Sequence, residues 1–105
     1  MSTKVELTQD ALCDWQKLDG SLKKDVAKKI ERLKVNPKAG LPLGNRAGLD
    51  LTGFRKIYAC RKSIRIVYRI LSAQGKDVVE VWAIGKREQL EVYKSVLRRV
   101  KDKRD

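Results

Sequence analysis

Three runs rich in β-branched and aromatic residues dominate the second half of the chain: Phe54 to Ala59, Ile64 to Leu71 and Val78 to Ile84. Arg61-Lys62-Ser63 separates the first pair, and Ser72 to Asp77, with Gly75 inside, separates the second. Short β-favouring runs split by polar turns predict a three-stranded antiparallel meander. Side chains alternate along a strand, so Lys56 and Tyr58 share one face while Arg55, Ile57 and Ala59 share the other. With Ile57 and Ile66 turned to the core, Lys56, Tyr58 and Arg65 face outwards together.

The first half reads differently. Lys4 to Leu7 is a short candidate strand, and Thr8 is placed to cap a helix with its side-chain oxygen. Leu12, Trp15 and Leu18 then form an apolar stripe at helical spacing. Asp19-Gly20 stops that helix and Ser21 caps a second one, marked by Leu22, Val26, Ile30 and Leu33. Asn36-Pro37 ends it, because the residue before proline is pushed out of the α region. Residues 8–36 are therefore expected as an αα-hairpin. Lys38 to Thr52 shows no helical or alternating period and reads as a long surface loop. Leu90, Tyr93, Val96 or Leu97, and Val100 predict a C-terminal helix, with Lys101 to Asp105 a frayed tail.

The expected order is β-α-α-β-β-β-α, an α+β fold in one domain spanning 1–105. Its four-stranded, mostly antiparallel sheet should bury one face under the helix hairpin and leave the other for function.

Charge narrows the function. Lys and Arg number 25 against 13 acidic residues, a net +12. So large an excess on a small domain points to a polyanionic partner, either nucleic acid or an acidic protein. The absence of histidine excludes a Ser-His-Asp triad, His-ligated zinc and His-based ribonuclease chemistry. Cys13 and Cys60 lack metal-ligand spacing, and Cys60 reads as a half-buried inert thiol. No apolar run reaches the roughly 20 residues of a membrane span, and Met1 to Leu7 holds no signal-peptide core. A cytoplasmic protein without membrane, metal or cofactor is expected.

Cations and phenols on a rigid sheet suit RNA cleavage. The RNA 2′-hydroxyl supplies the nucleophile. The protein must align it, take its proton, stabilise the phosphorane charge and see the 5′-oxygen protonated. Guanidinium forks suit the charge, and crowded cations make a lysine or a phenol a better base. A basic sheet that only binds nucleic acid is the competing reading. Tyr68, Trp15 and Trp82 read as packing residues.

At these residues the chain resembles the RelE branch of the RelE/ParE toxin family, from the L-x-x-W-x-K-L of Leu12 to Leu18 through Tyr93. The strongest pieces are R-I-V-Y at Arg65 to Tyr68 and G-K-R-E-x-x-x-V-Y at Gly85 to Tyr93. The resemblance implies a toxin of a type II toxin–antitoxin pair. Such a toxin enters the ribosomal A site and cuts mRNA by 2′-hydroxyl attack, leaving a 2′,3′-cyclic phosphate. It implies Lys56, Arg65, Arg87 and Tyr93 as active-site residues, with Tyr58 standing where the branch's type member has a second lysine. The missing histidine rules out the YoeB-like Glu and His pair. Lys56, alone or with Tyr58, becomes the base; Arg65 binds the scissile phosphate, Arg87 stabilises the transition state and Tyr93 stacks on the substrate. The acid stays unassigned. Arg55, Arg61, Lys62 and Arg69 are expected as RNA phosphate contacts, and Lys86 as an rRNA anchor. Implied partners are an acidic antitoxin, the ribosome and mRNA, with operator DNA reached only through the antitoxin complex. A non-catalytic or gyrase-directed ParE-like toxin and a general RNA-binding domain are the alternatives.

Overall fold

The computed structural model describes residues 3–46, 48–86 and 91–104. Strand β1 (Lys4–Leu7) leads into helices α1 (Gln9–Gln16) and α2 (Gly20–Val35). A 3-10 turn at Pro37–Ala39 follows, then strands β2 (Leu41–Arg46), β3 (Leu49–Ala59), β4 (Ile64–Ala73) and β5 (Lys76–Lys86), and helix α3 (Glu91–Arg104). The sheet has five strands in the order β1-β5-β4-β3-β2. β1 pairs with β5 in parallel and the other pairs are antiparallel.

The α+β class stands, but the sheet has five strands where four were expected. The extra strand, β2, lies in the segment read as a loop. Its Leu43 is buried while Leu41 is 61% exposed, and a register shift between Pro42 and Gly44 breaks the alternation that would mark a strand. Pro42 is tolerated because β2 is an edge strand, where one side of the backbone needs no partner. The α2 cap also differs. Asp19, not Ser21, accepts from the Leu22 N–H at 3.1 Å, and the Ser21 hydroxyl donates to the same Asp19 oxygen at 3.0 Å. Thr8 caps α1 as expected, accepting from Ala11 N–H at 3.1 Å. Lys101 to Arg104, expected as frayed tail, continue α3.

Both faces of the sheet are covered. Val26, Ile30 and Leu33 of α2 pack on Ile64, Ile66, Tyr68, Val79, Val81 and Ile84. The opposite face, expected to lie open, holds a second core in which Val92, Tyr93 and Val96 of α3 cover Phe54, Val67, Trp82 and Ala83. Alternation sends residues of each strand to both cores, and a bulge in β5 opposite Val67/Tyr68 turns Trp82 to the same side as Ala83, adding it to the core under α3.

Arg99 fastens α3 to this body. Its guanidinium donates to Asp14 at 2.8 and 3.1 Å and to the Trp82 carbonyl at 2.9 Å, while Asp14 also accepts from Ile84 N–H at 3.1 Å. β1 pairs with β5 only through Val81, so this ion pair satisfies polar groups on the β5 edge just beyond it. Gly85 helps from beneath, since a Cβ there would overlap the Val92 side chain. Tyr68 is fully buried, as expected of a packing residue, and ties the chain after α2 to β4. Its hydroxyl donates to the Pro37 carbonyl and accepts from Gly40 N–H, both at 2.8 Å. No helix among the described residues is long and apolar enough to cross a membrane.

Candidate active site

Strand register builds the site. Tyr58 lies directly across from Arg65, Lys56 sits two residues earlier on the same face, and Gly85 lies across Arg65 on the other side. α3 covers most of this face but leaves the Lys56–Tyr58–Arg65 end at its margin, where Tyr93 reaches over Arg65. The Lys56 ammonium donates to the Tyr58 hydroxyl at 2.9 Å and stands 5.1 Å from the ring centre. The Arg65 guanidinium lies 4.4 Å from the Tyr93 ring centre and 6.0 Å from that of Tyr58, held between two aromatic rings. Four residues assigned by sequence, Lys56, Tyr58, Arg65 and Tyr93, thus form one cluster. Arg87 lies outside the described residues.

Two physical features mark the cluster. Arg65 is only 8% exposed, and its Nε and Nη1 atoms find no hydrogen-bond partner among the described residues. A buried guanidinium with unsatisfied donors is unfavourable by itself and suits an anion that can take both. Tyr58 is the second feature. The hydrogen bond from Lys56 and, after it, the one from Arg65 bring its phenol down from 10.0 to about 8, against the opposing effect of burial.

The remaining cations divide. Arg69 is paired with Glu80 at 2.9 Å and stacked between Trp82 and Phe54, at 4.9 and 5.6 Å from their ring centres. Arg55 points from the α2 face of β3 and donates to the Gly40 carbonyl at 2.8 Å. Lys86 is exposed at the end of β5. Arg61 and Lys62 are exposed on the β3–β4 turn, next to the cluster. Two residues of α2 border that turn: Asp25, not singled out in the sequence, accepts from Cys60 N–H at 2.5 Å, and Lys29, which the sequence reads as a solvating outer-face lysine, lines the cavity beside it. Only the contact of α2 with the turn reveals them, since by periodicity they belong to a solvated helix flank. Burial first, then the Asp25 charge, raises the Cys60 thiol against the opposing charge of Lys29, which keeps it protonated.

Comparison with known proteins identifies relatives of the chain and of its fold. A family model described as the ParE toxin of the type II toxin–antitoxin system parDE matches residues 5–91. A putative RelE-like toxin protein of Escherichia coli is 33% identical over 93 residues, covering 89% of this chain and 92% of its own. The mRNA interferase toxin RelE of E. coli is 27% identical over 106 residues, covering 95% and 99%. A double arginine-to-alanine variant of the E. coli RelE toxin, solved in the free state, superposes with a TM-score of 0.70 at 28% identity, covering 95% of this chain and 99% of that one. The toxin–antitoxin complex RelBE2 of Mycobacterium tuberculosis gives 0.65 at 26% identity, covering 83% and 100%.

Proposed function

The chain belongs to the RelE/ParE family of type II toxin–antitoxin toxins, and we propose that it is a ribosome-dependent endoribonuclease that cuts mRNA in the A site. The observation that carries this reading is Arg65, a buried cation between two tyrosine rings with donors that suit a phosphate. Lys56 and Tyr58 lie on one side of it, where they meet the ribose 2′-hydroxyl. The hydroxyl proton passes to the Lys56–Tyr58 pair as the 2′-oxygen bonds to phosphorus. The bond to the 5′-oxygen breaks, and that oxygen leaves as a hydroxyl after taking up a proton. The products are a 2′,3′-cyclic phosphate and a 5′-hydroxyl. Arg65 holds the phosphate, Arg87 supports the charge that develops on it, and Tyr93 stacks on the neighbouring base. No step calls on a metal ion.

The chain acts in the cytoplasm, and its natural inhibitor is an acidic antitoxin; the relative solved as a toxin–antitoxin complex and the charge of +12 support that partner. A second reading, a gyrase-directed toxin, draws on the ParE description of the matching family model. Translating ribosomes carrying a defined mRNA separate the two. Primer extension should show a cut inside the A-site codon, and gyrase supercoiling should proceed unchanged. Intact mRNA with poisoned gyrase would reverse the assignment.

A further inference from the structure

We propose that the cavity between α2 and the β3–β4 turn is a subsite for the RNA chain on the 5′ side of the cut, its rim cations holding the backbone phosphate next upstream of the scissile one. This rests on the nuclease reading above and adds the direction in which the substrate runs.

The cavity measures about 750 Å3 and is lined by Leu22, Asp25 and Lys29 from α2 and by Tyr58 and residues 59–63 from the hairpin. Its floor is apolar, through Leu22, Ala59 and Cys60. Its rim carries Lys29, Arg61 and Lys62. A second cavity of about 300 Å3 shares Lys29 and Tyr58 with the first and adds Arg32 and Lys56. A cationic groove therefore runs along α2 past Tyr58, beside the part of β3 that β2, which begins opposite Lys56, does not cover. An apolar floor under a cationic rim suits a nucleotide, with its base packed and its phosphate neutralised.

Chemistry sets the polarity. The base must sit beside the 2′-hydroxyl, which belongs to the nucleotide 5′ of the scissile phosphate. The leaving 5′-oxygen departs on the opposite side of the phosphorus. Tyr58 lines the cavity and belongs to the base pair, so the cavity lies on the 5′ side.

The turn itself points to a functional demand. Cys60, Arg61 and Lys62 have φ of 55, 55 and 69°, three successive non-glycine residues in the left-handed region. Each adopts a conformation that non-glycine side chains disfavour. Asp25 on Cys60 N–H, and Ser63 donating from N–H and hydroxyl to the Cys60 carbonyl at 3.1 and 2.7 Å, hold the turn in place. Glycine would fit this backbone without strain. Long cations stand there instead, on the cavity rim.

The test is a double cycle on programmed ribosomes. One arm replaces the mRNA linkage immediately upstream of the scissile one by an uncharged methylphosphonate; the other uses the Arg61→Gly/Lys62→Gly variant. With subsaturating wild-type protein the neutral linkage should slow single-turnover cleavage by about tenfold, the worth of a charge-assisted contact. The variant should be slowed similarly on normal mRNA, lose no thermal stability because its turn is relieved, and be indifferent to the neutral linkage. A variant still slowed as much as wild type by the methylphosphonate overturns the subsite, since its cations then contact rRNA phosphates or none. A lower melting temperature also overturns it, because the turn would then be structural. Wild type that leaves the unmodified mRNA intact sinks the nuclease reading itself, a distinct result.

Discussion

The resemblance implies a second lysine where Tyr58 stands, and the surroundings of the phenol say what a tyrosine does there. Lys56 donates to the phenol and Arg65 adds a second cation. Both favour the phenolate and bring its pKa down to about 8, which on the proposed mechanism lets Tyr58 serve as a base. The sign follows: the active form is the deprotonated one, so cleavage should rise with pH through 7 and level off above about 8. Tyr58→Phe should remove that inflection and slow the reaction by roughly 10²–10⁴-fold, the worth of a general base. Single-turnover rates from pH 6 to 9 for both proteins check this. Superimposable profiles would leave Lys56 as the base and Tyr58 as packing. The grouping of Lys56, Tyr58 and Arg65 was legible from strand alternation alone. The depressed phenol was not, because it depends on which rotamer Lys56 adopts against it.

Among the elements, α3 differs most from what the sequence suggests. Its apolar stripe was readable, but not that it would roof the sheet face opposite the helix hairpin. The signal lay in β4 and β5, which are apolar on both sides: Val67 between Arg65 and Arg69, and Trp82-Ala83 after Glu80. β2 escaped because its register shift removes the period. The Asp14–Arg99 pair escaped because its partners are far apart in the chain and meet only in the folded protein. That pair is the main polar attachment of α3, and α3 carries Tyr93. Arg99→Met should cost about 3 kcal/mol in urea unfolding, since it leaves the Asp14 carboxylate largely buried without its cation. Replacing both residues, as Asp14→Leu with Arg99→Met, should recover part of that loss. A single variant as stable as wild type would show that apolar packing alone holds α3.

At the scale of the whole molecule, the charge of +12 was the plainest feature of the sequence, and the structure distributes it unevenly. Arg69 and Arg99 are committed to internal ion pairs, while Lys29, Arg32, Arg61 and Lys62 gather along the groove beside the site. An acidic antitoxin should therefore associate faster at low salt, with the on-rate falling as ionic strength rises and the off-rate changing little. Stopped-flow mixing with its antitoxin checks it. A salt-independent on-rate would mean that apolar contacts guide the encounter.

Arg65 is central to the proposed mechanism: a buried cation whose donors suit a phosphate. The most direct measurement is single-turnover cleavage of mRNA on programmed ribosomes by wild type and Arg65→Met, paired with thermal unfolding and ribosome binding. Wild type should cut within the A-site codon and leave a 2′,3′-cyclic phosphate. Arg65→Met should cut at least about 10²-fold more slowly, bind ribosomes as before, and melt no lower than wild type, because two buried donors with no partner among the described residues are gone. Uncut mRNA with wild type, or a variant that cuts at the wild-type rate, would contradict the account.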